Sequence, residues 1–144
     1  MNYFIFQSIA IAGVIGFMFG ALFYSPLLFL NAWLQGEGIT KETIPKRSVK
    51  YMIQINTYSL LSHGAIASVL ALIFDLVQVS SLKVAVSLGL LLTIGFIVTT
   101  RYIDMIYTMR GDHWSRQSQI KFLVSSGYYL AVIVVMSLVL FLLK

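Results

Sequence analysis

One histidine lies in the middle of a long apolar stretch, and its position suggests chemistry more directly than any other residue. His63 is about 12 residues, or about 18 Å along a helix, from each end of the stretch at 51–75. If that stretch crosses a membrane, an ionisable group near its centre is rare and usually functional. Either His63 accepts a proton or binds a ligand, or it is a neutral imidazole hydrogen-bonded to a facing serine, threonine or backbone carbonyl.

Further polar side chains gather at one predicted depth, in the third of each apolar stretch that we expect nearest the cytoplasm. Counting residues at about 1.5 Å each gives this common level. We predict a cytoplasm-facing vestibule with His63 at its closed end. The candidate ligand-binding residues are Tyr24, Ser25, His63, Arg101, Asp104 and Tyr128.

These polar residues also have structural explanations. Arg101 and Asp104 are three residues apart, so on a helix they share a face and can neutralise each other while the arginine extends towards the interface. Tyr24 and Tyr128 are suited to anchoring helices at the membrane surface. The sequence leaves both interpretations open.

The composition defines the environment of the chain. Of its 144 residues, 59% are hydrophobic and 10% are charged, whereas about a quarter of the residues in a soluble domain are charged. We therefore expect an integral membrane protein, with a single domain over 1–144 and membrane lipids as its surroundings. The net charge of +5 comes from the connections, and we expect no nucleic acid partner.

Four stretches are long enough to cross a hydrocarbon core of about 30 Å, which takes about 20 residues of helix. They run near 4–30, 51–75, 84–107 and 121–143. The first has no basic region at its start and stays apolar well past Ala10-Ile11-Ala12, which has the form of a signal-peptide cleavage site, so we interpret it as a transmembrane helix. The predicted fold class is all-α, an integral membrane four-helix bundle.

Two prolines indicate where helices bend or begin. In the stretch GALFYSPLLFLNAW, Pro26 lacks the N–H that would bind the carbonyl of Leu22, which predicts a kink in the first helix at this point. In the first connection, Thr43-Ile44-Pro45 is typical of a helix start, so the second helix is predicted to begin there.

The distribution of positive charge predicts the orientation. Eight lysine and arginine residues belong to or border the first and third connections, and only Lys83 and Lys144 lie on the opposite side. By the positive-inside rule, both termini face outward and the two longer connections are cytoplasmic. We expect the membrane to be the bacterial cytoplasmic membrane.

Small residues recur every fourth position on the first helix, at Ser8, Ala12, Gly16 and Gly20. Such a stripe lets a neighbouring backbone approach closely, within one protomer or between protomers. We expect a homo-oligomer or a partner membrane subunit.

The sequence holds no recognisable catalytic motif, so catalysis is the less favoured hypothesis and we name no catalytic residue. There is no cysteine. The two histidines, His63 and His113, belong to distant segments and make a poor metal site. We expect neither a metal nor a cofactor.

Three stretches resemble a known family: GALFYSPLLFLNAW, GFIVTTRYID and SSGYYLAVIVVMSLVL. They are similar to the small bacterial membrane proteins catalogued as domain of unknown function 1761, and the similarity spans nearly the whole chain. Asn31 and Ser137 stand where glycine is more usual in that family. The resemblance implies a four-helix membrane fold and brings no established activity.

Two functional hypotheses follow. In the first, the polar vestibule binds or transports a small polar or amphipathic molecule. In the second, the protein is a structural or assembly subunit of a larger membrane complex and has no ligand of its own. The common depth of the polar residues favours the first, whereas the small size of the chain favours the second.

Overall fold

The computed structural model describes residues 3–44, 46–107 and 115–144, and the side chains from residue 6 onwards within them. All regular structure in these ranges is helical. The elements are α1 Tyr3–Phe23, α2 Leu30–Glu37, α3 Val49–Leu76, α4 Leu82–Leu92, a π-helical segment Thr93–Val98, α5 Thr99–Tyr107 and α6 Arg116–Leu142. Pro45 and His113, on which two predictions fell, lie outside the described residues.

Four helical segments are long and apolar enough to cross a membrane: Phe6–Phe23, Val49–Leu76, Leu82–Tyr107 and Arg116–Leu142. The third consists of α4, the π-helical segment and α5 in continuous succession. The predicted all-α membrane bundle is therefore confirmed. Val49 rather than Thr43 begins α3, because the Ser48 hydroxyl accepts a hydrogen bond from the Tyr51 N–H and caps the helix there.

The first helix breaks completely where a kink was predicted. It ends at Phe23, and α2 follows only after a turn. Within that turn the Leu28 N–H donates to the Ser25 carbonyl over 3.1 Å, with Pro26 in the second position, where its fixed φ suits a β-turn. The Ser25-Pro26 pair thus makes the connection between two separate helices.

The central helix of the bundle is α6, which packs against all the other helices. The first helix lies between α3 and α6, while α4 and α5 cover another side of α6. Val132 and Met136 of α6 are fully buried between Ala12 of α1 and Ala85 of α4. This apolar core fills the half of the bundle nearest the termini.

The small-residue stripe on α1 is used inside the protomer. A Cβ added to Gly13 would lie 3.0 Å from Gly64 Cα, so the α1 and α3 backbones approach closely at this point. A Cβ added to Gly16 would collide with the Met136 side chain of α6. Since Ala12 is also fully buried, this face of α1 is occupied by the chain's own helices. Oligomerisation stays a prediction.

Threonine hydroxyls accompany the π-helical segment Thr93–Val98. A π turn changes the hydrogen-bonding ladder and leaves backbone carbonyls in need of other donors. The Thr99 hydroxyl donates to the Gly95 carbonyl over 2.6 Å, and the Thr100 hydroxyl donates to the Phe96 carbonyl over 2.5 Å. These two threonines thus satisfy backbone groups of their own helix.

The beginning of α1 and the end of α6 lie at one end of the bundle, together with the short turn after α3. The Ser8 hydroxyl donates to the Leu143 carbonyl over 2.8 Å, and the Lys144 ammonium donates to the Val79 carbonyl over 3.1 Å. The end of α2, the beginning of α3 and the beginning of α6 lie at the other end. Which end faces the cytoplasm follows from the charge rule alone and stays a prediction.

Candidate functional site

His63 is buried in α3 and hydrogen-bonded through both ring nitrogens. Its Nδ1 lies 2.7 Å from the Ser59 carbonyl oxygen, and its Nε2 lies 2.5 Å from the Tyr128 hydroxyl of α6. Because a carbonyl can only accept, Nδ1 carries the proton. In the neutral imidazole Nε2 then accepts from the Tyr128 hydroxyl. This buried pair is a hydrogen bond between two transmembrane helices.

An aromatic cluster surrounds this pair. The Tyr128 ring lies 5.1 Å from the Tyr24 ring and 5.4 Å from the Phe23 ring, between centroids. The cluster extends to Trp33 of α2, whose ring lies 6.1 Å from that of Tyr24. A Cβ on Gly20 would come within 2.8 Å of the Tyr128 hydroxyl, so the absence of a side chain there gives Tyr128 room to reach His63.

Arg101 of α5 contacts the residue next to Tyr128. Its guanidinium carbon lies 5.4 Å from the Tyr129 ring centroid, and a guanidinium N–H donates to the Tyr129 hydroxyl over 3.4 Å, a long hydrogen bond. The Tyr128 and Tyr129 rings are 5.2 Å apart. Two adjacent tyrosines therefore connect the buried histidine with Arg101.

Arg101 also lines a polar cavity of about 510 Å³ at the end of the bundle opposite the termini. The cavity lies between α2, α5 and the beginning of α6. Its lining residues are Gly36, Glu37, Arg101, Asp104, Met105, Ser115, Gln117, Ser118, Lys121, Phe122 and Ser125. We call it the polar cavity.

The predicted site residues are divided between two places. Arg101 and Asp104 line the polar cavity, whereas Tyr24, His63 and Tyr128 form the aromatic cluster and do not line it. Instead of the single vestibule expected from their common depth, the residues form a wet group that lines the open polar cavity and a dry group that is packed in the aromatic cluster. Depth is set by position along each helix, but the direction of each side chain depends on how the helices are rotated.

Two of the individual expectations have specific outcomes. Arg101 contacts a hydroxyl of the last helix, at Tyr129, and among the described residues it forms no ion pair with Asp104. Asp104 is exposed and has an interaction within the chain. The Ser25 hydroxyl accepts a hydrogen bond from the Leu27 N–H over 3.3 Å, so it stabilises its own turn.

Sequence reasoning missed the contribution of α2. Gly36 lies against the α6 backbone, since a Cβ there would be 2.9 Å from Lys121 Cα. Next to it, the Lys121 ammonium forms an ion pair with Glu37 over 3.0 Å. The only sequence feature that marks this wall is the Gly-Glu-Gly sequence after an apolar run, and such a sequence is typical of an ordinary loop. These residues form one wall of the polar cavity.

A second concavity lies on the other side of α2 and α6 and is almost entirely apolar. It has a volume of about 630 Å³ and opens outward. Its lining residues are Phe19, Phe23, Leu28, Phe29, Ala32, Ile120, Leu123, Val124, Gly127 and Ala131. We call it the apolar groove.

The groups that line the two concavities define what each could bind. Within the described ranges, no three histidine, aspartate or glutamate side chains lie close enough to hold a metal ion. The polar cavity offers a guanidinium, an ammonium and two carboxylates together with hydroxyl groups. Such a set recognises charged groups through hydrogen bonds and ion pairs.

A bundle of four membrane-spanning helical segments with a polar cavity at one end defines the class as a small α-helical integral membrane protein. The chain matches the family described as Protein of unknown function (DUF1761) over residues 7–141 and belongs to that family. No curated protein and no solved structure gives a significant match.

Proposed function

We propose that the protein resides in the bacterial cytoplasmic membrane and binds a small polar or amphipathic molecule with an anionic group in the polar cavity. The observation that carries this proposal is the position of Arg101. Its side chain lines the cavity, yet among the described residues its guanidinium has only the long bond to Tyr129 and the contact with that ring. Most of its five N–H donors are therefore available to an anion.

Three other charged groups line the cavity, Lys121, Glu37 and Asp104, and among the described residues Arg101 forms no ion pair. Lys121 is neutralised by Glu37 at 3.0 Å, so it attracts a ligand less strongly. Arg101 is half-buried, and an ionic hydrogen bond gains strength as water is excluded. Planar guanidinium groups bind phosphate and carboxylate groups through two parallel hydrogen bonds.

Binding is a better description than transport. Beyond the cavity, the bundle is filled by the apolar core around Val132 and Met136, which are fully buried. His63 and Tyr128, which are hydrogen-bonded to each other, are also buried and lie between the cavity and this apolar core. A molecule in the polar cavity thus meets closed packing towards the end that carries the termini.

The test is titration of the detergent-solubilised protein with inorganic phosphate and methyl phosphate, followed by thermal unfolding and calorimetry. We expect stabilisation of the wild type, and a Kd that Arg101→Gln raises about 10- to 100-fold, as for the loss of a hydrogen bond to a charged group worth about 1.5–3 kcal/mol. Arg47→Gln is the matched control, because Arg47 lies in an exposed connection outside the cavity. Equal binding by the wild type and Arg101→Gln would contradict the proposal.

A second candidate function is that of an assembly subunit, and one feature of α3 favours it. All residues from 49 to 58 are exposed, whereas the second half of the helix buries His63, Ala67 and Leu70. Asn56 lies about 10 Å before His63 along the helix, a depth still within the hydrocarbon. Its amide has no hydrogen-bonding partner in the part of the chain that the structure describes, and such groups favour contact with another helix.

Because the chain has no cysteine, single cysteines test this alternative directly. Oxidative cross-linking of Asn56→Cys in membranes should give a covalent dimer or a cross-link to a partner if α3 docks on another helix. Leu91→Cys is the control, since Leu91 is exposed on α4. Equal cross-linking of both variants would show that protein molecules meet by random collision in the membrane, and it would count against the assembly role.

A further inference from the structure

The apolar groove has the length of one membrane leaflet. It follows α6 from Ile120 to Ala131, which is about 16 Å of helix. Half of a hydrocarbon core is about 15 Å. The end at Ile120 lies near the beginning of α6, and the end at Ala131 lies near the middle of that helix.

The floor of the groove is created by the missing side chain of Gly127. A Cβ added there would meet nothing within 4 Å, so this glycine is not required for contact between helices of the chain. Phe23 and Phe29 stack with their centroids 4.4 Å apart and form a neighbouring wall. The space beside Gly127 is therefore open and bordered by aromatic rings, with room for an elongated apolar occupant.

A positive charge stands at the entrance of this gap. Arg116 is exposed and precedes Ile120 by four residues, so it lies one helical turn beyond the groove on the same face of α6. Helical side chains lean towards the N-terminus of their helix, which directs Arg116 away from the apolar part. An occupant that fits both features has an aliphatic chain and an anionic head at its end.

We propose that the apolar groove binds one acyl chain of a membrane phospholipid and that Arg116 binds its phosphodiester. The groove excludes water from the chain, and the guanidinium forms ionic hydrogen bonds with the phosphate oxygens. The site is distinct from the polar cavity, which lies on the other face of α6 and contains Arg101. It makes the protein a specific lipid binder in addition to its proposed small-molecule function.

Native mass spectrometry of the full-length protein in detergent tests the acyl-chain part, with dioleoylphosphatidylglycerol as the probe. We expect one retained lipid per protein and at least a tenfold weaker apparent affinity for Gly127→Leu, which fills the groove. Gly95→Leu is the matched control, because a Cβ on Gly95 also meets nothing within 4 Å, and it should bind as the wild type does. Ala131→Leu provides a second way of filling the groove if Gly127→Leu does not fold.

The phosphate part is tested by comparing that lipid with dioleoylglycerol, which has the same chains and no phosphate. Arg116→Gln should weaken phosphatidylglycerol binding about fivefold or more and leave dioleoylglycerol binding unchanged. Arg101→Gln should change the binding of neither lipid, because Arg101 does not line the apolar groove. A failure of this proposal can therefore be told apart from a failure of the proposed anion binding in the polar cavity.

Unchanged lipid binding in the groove-filling variants would overturn the proposal. So would loss of phosphatidylglycerol binding in Arg101→Gln but not in Arg116→Gln, since the phosphate would then occupy the polar cavity. If Gly127→Leu altered the oligomeric mass without changing lipid binding, the groove would be a site for a helix rather than for an acyl chain.

Discussion

Replacing Tyr128 with phenylalanine removes one hydroxyl from the interior of the bundle and leaves the ring in place. That hydroxyl lies 2.5 Å from His63 Nε2, and both residues are less than a tenth exposed, at 6% and 8%. In the variant, Nε2 keeps its lone pair but loses its donor. The other ring nitrogen still donates to the Ser59 carbonyl, so the imidazole cannot turn without losing that bond.

The magnitude follows from this loss of one buried hydrogen bond. An unsatisfied buried acceptor costs about 1–3 kcal/mol in proteins, while hydrogen bonds between membrane helices average about 0.6 kcal/mol with a maximum near 1.7 kcal/mol. Burial of both partners places this bond towards the upper end of the membrane range. We therefore expect Tyr128→Phe to lower the free energy of unfolding by about 1–2 kcal/mol.

Reversible unfolding in mixed micelles with increasing sodium dodecyl sulfate measures this free energy. The control is Tyr58→Phe, because Tyr58 is exposed on the same helix as His63, and its effect should stay within about 0.5 kcal/mol. A double-mutant cycle with His63→Leu should give a coupling of about 1 kcal/mol. A coupling near zero, with Tyr128→Phe as stable as the wild type, would refute the assigned bond.

Three further predictions concern packing and orientation. Gly16→Leu collides with Met136 and should lower the free energy of unfolding by about 1–3 kcal/mol, measured in the same micelles. If the variant instead keeps its fold and its oligomer dissociates, the small-residue stripe of α1 belongs to an interface between protomers. Gly36→Val should push α2 off the α6 backbone, because a Cβ there would lie 2.9 Å from Lys121 Cα. We expect faster hydrogen exchange in α2 and weaker phosphate binding. Unchanged exchange would contradict this packing. A reporter fused after Lys144 should be external and one inserted near Gly38 cytoplasmic, whereas the opposite result would reverse the sidedness of the polar cavity.

The helices could be predicted because long apolar runs in a charge-poor chain have few alternatives. The predicted stretch at 84–107 corresponds to the observed span Leu82–Tyr107, and the others agree similarly except for the first. There the sequence near Pro26 predicted a bend, but a Ser-Pro turn replaced it. A proline identifies the position of a disturbance, whereas the size of the disturbance depends on what α2 can pack against afterwards.

The sequence predicts how deep each candidate site residue lies in the membrane, but not towards which neighbouring helix its side chain points. His63 is buried and its Nδ1 bonds the Ser59 carbonyl of its own helix, which leaves its structural and ligand-binding interpretations both open. Its second partner, Tyr128, was not foreseen, because residue counting gives height along a helix but not the rotation about its axis. The rotation depends on contacts between helices, such as the close approach of α1 and α3 at Gly13 and Gly64, which no single-helix pattern reveals.

The separation of the polar residues into a dry and a wet group has its physical origin in α6. Consecutive residues on a helix point about 100° apart, so Tyr128 reaches the buried His63 while Tyr129 contacts Arg101 beside the polar cavity. Burying the guanidinium next to the imidazole would leave a charge without water or a carboxylate, which is far more costly than burying a neutral hydrogen-bonded pair. The charged residue therefore lies on the accessible face and the neutral residues lie within the bundle, although all of them occupy one level along the helices.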